Sequence, residues 1–177
     1  MQENATGKRG NGVSTVEAAQ SSDAAIYEAL RDELVRFAAA IVGRDSAEDV
    51  LSTVMIRIMG RQPLAELRDA RPYLYKAVLN EARSHLRSRH GRDALAHAAA
   101  AQSRPVLGNS PESLALDGDV RQAVLALPPR QRAATYLTYW NGCSIAETAD
   151  LMGCSPGTVG RYLHLARRHL RRALDGR

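Results

Sequence analysis

Chemistry in this chain begins with where its arginines fall. Residues 156–177 carry six arginines against Asp175 alone, and residues 61–92 carry eight basic residues against Glu66, Asp69 and Glu81. Cations massed in two separate segments suit two polyanion contacts better than general solubility; one such segment alone would read as a solvated helix face. The C-terminal cations sit in NGCSIAETADLMGCSPGTVGRYLHLARRHLRRAL, residues 141–174. Ser144 and Glu147 form an S-x-x-E capping box, which predicts a helix from Ile145. Gly153 suits the left-handed residue that closes that helix. Ser155 caps again, and Pro156 falls at the first helical position, where a missing N–H costs nothing. Two capped helices across a short Gly-containing turn make a helix-turn-helix, whose second helix enters the major groove.

At about 100° per residue, Val159, Leu163, Ala166 and Leu170 share the side of that second helix expected to pack inward. Opposite them lie Gly157, Arg161, His164 and Arg168, with Leu165, Arg171 and Arg172 close by. Together with Pro156 and Thr158 at its start, these form the expected reading face. Arginine in the N-terminal half can hold guanine O6 and N7, whereas those farther along meet phosphate. An ordinary amphipathic surface helix is the plainer account, but both caps, the turn and the arginine face together favour DNA reading.

No other constellation carries chemistry. His85, His90, His97, His164 and His169 never reach i, i+4 spacing beside a carboxylate pair, so neither a metal site nor any other cofactor is expected. Asp45, Glu48 and Asp49 could be paired acids, although an acidic first turn complementing a helix dipole explains them more simply. There is no phosphate-cradling glycine loop and no nucleophile–base pair, so an enzyme is the least favoured class. Cys143 and Cys154 lack CxxC spacing and fit buried thiols in a reducing cytosol. No apolar stretch approaches the ~20 residues needed to span a bilayer, and the N-terminus has no signal-peptide core. A cytoplasmic protein with no membrane insertion is expected.

The elements that must position these residues are all helical. The chain has 177 residues with a net charge of +5, enough for two small domains. Residues 1–23 are polar and aperiodic and read as a disordered tail. From Ala24, Leu30, Leu34, Phe37 and Ile41 fall on one helical face, ended by Gly43. Asp45 or Ser46 can cap a second helix bearing Leu51, Val54, Met55 and Ile58, stopped by Gly60. A loop through Gln62, Pro63 and Asp69 leads to a third helix, about Pro72 to Arg89, with Leu74, Val78, Ala82 and Leu86 inward. Residues 90–113 are alanine-rich, poor in large apolar groups and broken by Gly and Pro, as in a linker. Helices resume through Val120–Leu127 and Pro129–Trp140, followed by the helix-turn-helix. The expected fold is all-α: two small helical domains, 24–89 and 114–177, joined by a flexible linker.

Over nearly all of residues 26–174 the chain resembles the extracytoplasmic-function family of bacterial RNA polymerase sigma factors. VLALPPRQRAATYLTYWNGCSIAETADLMGCSPGTVGRYLHLAR resembles region four, where an LP-x-RQR helix precedes a helix-turn-helix that binds the minus-thirty-five promoter element. GRDSAEDVLSTVMIRIM resembles region 2.2, which docks on the polymerase clamp. The resemblance places Asp45, Glu48, Asp49, Ser52, Thr53 and Arg57 on that docking surface. RDARPYLYKAVLNEARSHLRSR resembles regions 2.3 and 2.4, which melt and read the minus-ten element, so Arg68, Arg71, Tyr73, Lys76, Asn80, Arg83 and Arg87 are the implied contacts. A splayed single strand is held by cations beside aromatic and polar groups, and this helix supplies that mixture; core packing is the competing role for Tyr73. The implied partners are core RNA polymerase, through its clamp helices and flap, promoter DNA, and an anti-sigma factor.

The chain departs from the family pattern at Ser52–Thr53, where a Gln–Glu pair is usual, and at Ser84, where Asp is usual. In the recognition helix Gly160, Tyr162 and Leu165 replace cations, so no promoter sequence is assigned. Two rivals are a two-component-type regulator, which needs an αβ receiver that residues 1–113 do not suggest, and a helical adaptor with basic faces. More broadly, a helix-turn-helix regulator acting without polymerase membership is the alternative function.

Overall fold

The computed structural model describes residues 11–99 and 118–175, and every regular element among them is helical. In chain order these are α1 (Asn11–Val42), α2 (Arg44–Met59), a 3-10 turn (Leu64–Glu66), α3 (Ala70–Ala99), α4 (Gly118–Leu125), α5 (Pro129–Tyr139), α6 (Ile145–Met152) and α7 (Pro156–Asp175).

Helices α1, α2 and α3 form the first unit. Leu34, Phe37 and Ile41 of α1 meet Val50, Leu51, Val54, Met55 and Ile58 of α2 and Leu74, Val78 and Ala82 of α3, all buried. The i, i+3, i+4, i+7 spacing in α2 creates one apolar stripe, so burying it fixes the helix's rotation. Gly43 separates α1 from α2 at φ 92°, a left-handed conformation that only glycine adopts without strain. Ion pairs then bind the helices at their rims: Arg31–Glu48 at 2.8 Å ties α1 to α2, and Arg57–Glu81 at 2.7 Å ties α2 to α3.

Three expectations about helix limits are corrected. α1 begins at Asn11, not after residue 23. Asp23 is buried and accepts the Ala65 N–H at 2.9 Å, which anchors the loop after α2. Extending a nucleated helix costs little per residue, so Glu17, Ala18 and Ala19 continue it without periodic apolar residues. α2 is capped by Gly43 with no side-chain cap bond, so Asp45 is an acid of the first turn rather than a cap. α3 continues to Ala99 through residues expected to start the linker, because alanine sustains a helix without burial. The remainder of the expected linker, 100–113, and residues 1–10 of the expected tail lie outside the described residues.

The second unit is α4 to α7, with Ala133, Ala134, Leu137, Ala149, Leu151, Met152, Val159 and Leu163 buried. These residues join those of the first unit in one continuous core. α1 lies against α5, and α3 lies against α5 and α6. Phe37 stands 6.1 Å from the Tyr136 ring and 4.7 Å from Tyr75. Arg132 of α5 is 8 % exposed and donates to the carbonyls of Ile41, Leu125 and Leu127, so one guanidinium links both units. Burial without a carboxylate pushes its pKa down to about 10. No described helix is long and apolar enough to cross a membrane.

Candidate nucleic-acid interface

The helix-turn-helix is built from its caps. Ser144 Oγ accepts the Glu147 N–H at 3.2 Å while Glu147 Oε2 accepts the Ser144 N–H at 2.8 Å, the reciprocal box that the spacing predicts. Bonding to Ser144 holds the Glu147 carboxyl below its usual range. Gly153 closes α6 at φ 60°, ψ 49°, and the Cys154 N–H reaches Ala149 O at 2.9 Å. Ser155 Oγ then accepts the Thr158 N–H at 3.2 Å and lies 2.9 Å from the Thr158 hydroxyl, starting α7 at Pro156.

α7 presents the expected face. Val159, Leu163 and Ala166 are buried, and Leu170 is half-buried; Pro156, Gly157, Arg161, His164, Arg168, Arg171 and Arg172 are exposed. Thr158 is half-buried with its hydroxyl engaged in the cap. Tyr162 is also half-buried, and its hydroxyl accepts a hydrogen bond from Arg130 at 3.2 Å, which turns it across the domain rather than outward.

α3 carries the second cationic face. Asp69 begins it by accepting the Arg71 N–H at 3.2 Å. Tyr73, Lys76, Asn80, Arg83 and Arg87 recur at alternating three- and four-residue steps, which is one stripe of a helix. Tyr73, Lys76, Asn80 and Arg87 are exposed and Arg83 is half-buried, with exposed Arg68 on the preceding loop. Tyr73 is 42 % exposed, so core packing does not account for it; the core aromatic is its neighbour Tyr75, at 0 %. Burial, with Glu33 beside it, pushes the Tyr75 phenol well above the usual range. Arg71 departs from the stripe. It pairs with Glu33 at 2.7 Å, lies 5.5 Å from the Tyr75 ring centroid, and its pKa is raised by the Glu33 bond.

α2 shows a third surface. Asp45, Glu48, Asp49, Ser52, Thr53 and Arg57 are all exposed on it, although Glu48 and Arg57 are held in the ion pairs with Arg31 and Glu81. Ile56 and Met59, 75 % and 56 % exposed, extend this face and were not singled out from the sequence. Their signal was available: neither belongs to the stripe of Leu51, Val54, Met55 and Ile58. Among the described residues no cluster of His, Cys, Asp or Glu could hold a metal ion.

A capped helix-turn-helix with an outward arginine face, on the same chain as a helical unit with a separate cationic stripe, is the arrangement of an all-helical nucleic-acid-binding protein. Comparison with known proteins narrows this. Residues 26–92 match the sigma-70 region 2 family and residues 117–170 match sigma-70, region 4. The RNA polymerase sigma-E factor of Streptomyces avermitilis is 31 % identical over 149 residues, covering 83 % of this chain and 82 % of that protein. The ECF RNA polymerase sigma factor SigL of Mycobacterium tuberculosis is 30 % identical over 170 residues, covering 90 % and 95 %. Among solved structures, the sigma factor RpoE in complex with the anti-sigma factor NepR from Bartonella quintana superimposes with a TM-score of 0.62 at 24 % identity, covering 84 % of this chain and 94 % of that one, a likeness of fold. The chain belongs to the extracytoplasmic-function group of sigma-70-type RNA polymerase sigma factors.

Proposed function

We propose that this sigma factor divides promoter recognition among its three faces. The outward face of α7 reads the minus-thirty-five duplex, with Arg161 toward base edges and Arg171 and Arg172 toward phosphate. The α3 stripe holds the separated minus-ten strand, where Tyr73 offers a stacking surface and Lys76, Asn80, Arg83 and Arg87 offer charge and hydrogen bonds. The α2 face, with Asp45, Asp49, Ser52 and Thr53 beside exposed Ile56 and Met59, docks on the polymerase clamp. Residues 24–89 and 114–177 are then the two working domains. The protein itself catalyses nothing and acts in the cytoplasm through polymerase, with an anti-sigma factor as its regulatory partner.

The observation that carries this reading is the exposed aromatic, Tyr73, in a stripe on α3 otherwise made of cations and Asn80. A regulator that reads only duplex DNA has no use for such a surface. Strand opening separates the two. With core polymerase and this chain, thymines of the minus-ten element should become permanganate-reactive, and Tyr73→Ala should abolish most of that reactivity while leaving minus-thirty-five duplex binding intact. Equal reactivity with and without the chain would contradict the proposal.

A further inference from the structure

The two flanks of the recognition helix are unequal. At about 100° per residue, Gly160, His164, Arg167 and Arg171 line one flank of α7, and Thr158, Tyr162, Leu165 and His169 line the other. A helix about 10–12 Å across fills a major groove about 12 Å wide, so each flank faces one phosphate strand. The first flank carries Arg167 and Arg171, both exposed. The second has no arginine or lysine of its own.

α5 brings one to it. Arg130 Nη1 donates to the Tyr162 hydroxyl at 3.2 Å, and both residues are half-buried. Burial raises the pKa of the Cys154 thiol and the Arg130 charge opposes that rise, so the guanidinium also lies near the turn before α7. Among the described residues no carboxylate pairs with Arg130. Its place in α5 does nothing for the helix either. It falls in the first turn, which holds no acid and where the macrodipole disfavours a cation. A phosphate at that spot reverses the sign, because the start of α5 and the guanidinium then attract the same anion.

We propose that Arg130 is a DNA contact of this sigma factor, reaching from α5 to the phosphate strand along the Thr158–His169 flank of α7, with Tyr162 as the positioning residue that holds it there. The inference rests on the reading of α7 as the minus-thirty-five reader. With tyrosine at position 162, the cation on this flank comes from the neighbouring helix rather than from the recognition helix itself. A phosphate contact raises affinity for every upstream sequence alike and leaves the choice among bases to Arg161.

Holoenzyme binding to a promoter selected from a library randomised upstream, measured across a potassium chloride series, tests this. Arg130→Ala should weaken binding roughly 3–10-fold, the worth of one hydrogen bond. It should also lower the log–log salt slope by about one and leave the base preference profile unchanged, whereas Arg130→Lys should keep the slope. Replacing the phosphates of the minus-thirty-five element singly by methylphosphonate should reveal one whose neutralisation weakens the wild type and not Arg130→Ala. Because Tyr162 holds the guanidinium, Arg130→Ala should cost clearly less when Tyr162→Phe is already present. A wild-type slope and phosphate scan in Arg130→Ala would overturn the contact, even if affinity fell, since the loss would then be structural. The same cost with and without Tyr162→Phe would overturn the positioning role. Arg172→Ala on the same promoter separates the two levels. If it lowers the slope and Arg130→Ala does not, this inference alone fails; if neither does, the placement of α7 on the minus-thirty-five element fails with it.

Discussion

Removing the Arg132 guanidinium should cost this fold more than any surface change. The group donates to Ile41 O and Leu125 O, and to Leu127 O at 2.9 Å, and it is 8 % exposed. Hydrogen bonds from a charged donor contribute about 1.5–3 kcal/mol each. Against them stands desolvation, which lowers the pKa to about 10, roughly 3 kcal/mol against the charged form. The bonds win, and truncation also strands buried carbonyls, so Arg132→Ala should lose about 2–5 kcal/mol. Arg132→Lys should recover only part, because an ammonium cannot fork to carbonyls that lie in different directions. Urea unfolding followed by circular dichroism measures this, with an unchanged m value showing that the same surface is exposed. Below about pH 10 the guanidinium is charged in both states, so the loss should be the same from pH 6 to 9. A loss under about 1 kcal/mol would refute the reasoning, since the bonds would then do no more than offset desolvation.

Other consequences follow from single contacts. Ser144→Ala removes the cap of α6 and should cost about 1 kcal/mol, a fall of roughly 2–4 °C in Tm for a chain of this size by calorimetry. Tyr75 holds its proton more tightly folded than unfolded because of burial and Glu33. Its contribution is therefore complete below the ordinary tyrosine pKa and is lost as pH rises above about 10, at up to about 1.4 kcal/mol per pH unit. Tyr75→Phe should flatten the urea midpoint between pH 9 and 11, and an unchanged slope would exclude this source. In holoenzyme binding to a promoter library, Arg161→Ala should reduce discrimination at one upstream position by about 1–3 kcal/mol. Arg172→Ala should weaken all sequences alike and lower the log–log salt slope by about one. A preference profile unchanged by Arg161→Ala would contradict the orientation of α7 in the groove.

What could be read from sequence was what local chemistry decides. The Ser144–Glu147 box, the left-handed Gly153, the Ser155 cap and the apolar stripe of α2 each depend on residues within one or two turns, and each appears where the spacing puts it. The inward and outward faces of α7 were equally legible, because a 3.6-residue period sorts side chains without knowledge of the partner. Tertiary choices were not. The pairing of Arg71 with Glu33 of α1 and the burial of Arg132 against Ile41 O both join residues tens of positions apart, which spacing along one helix does not indicate. Tyr73 and Tyr75 differ by two positions and so lie on opposite sides of α3, and only the location of α1 and the second unit says which is buried. The seating of the second unit on the first has no local period at all. It arises from buried side chains of both units joining one core across a long sequence separation.

Run-off transcription with core RNA polymerase on fragmented genomic DNA tests the central claim most directly. The account predicts discrete start sites that appear only when this chain is added, with a shared pair of upstream elements whose occupancy falls when Asp49→Lys weakens docking and when Tyr73→Ala weakens strand capture. Transcript ends that are the same with core polymerase alone as with core polymerase and the chain would contradict it.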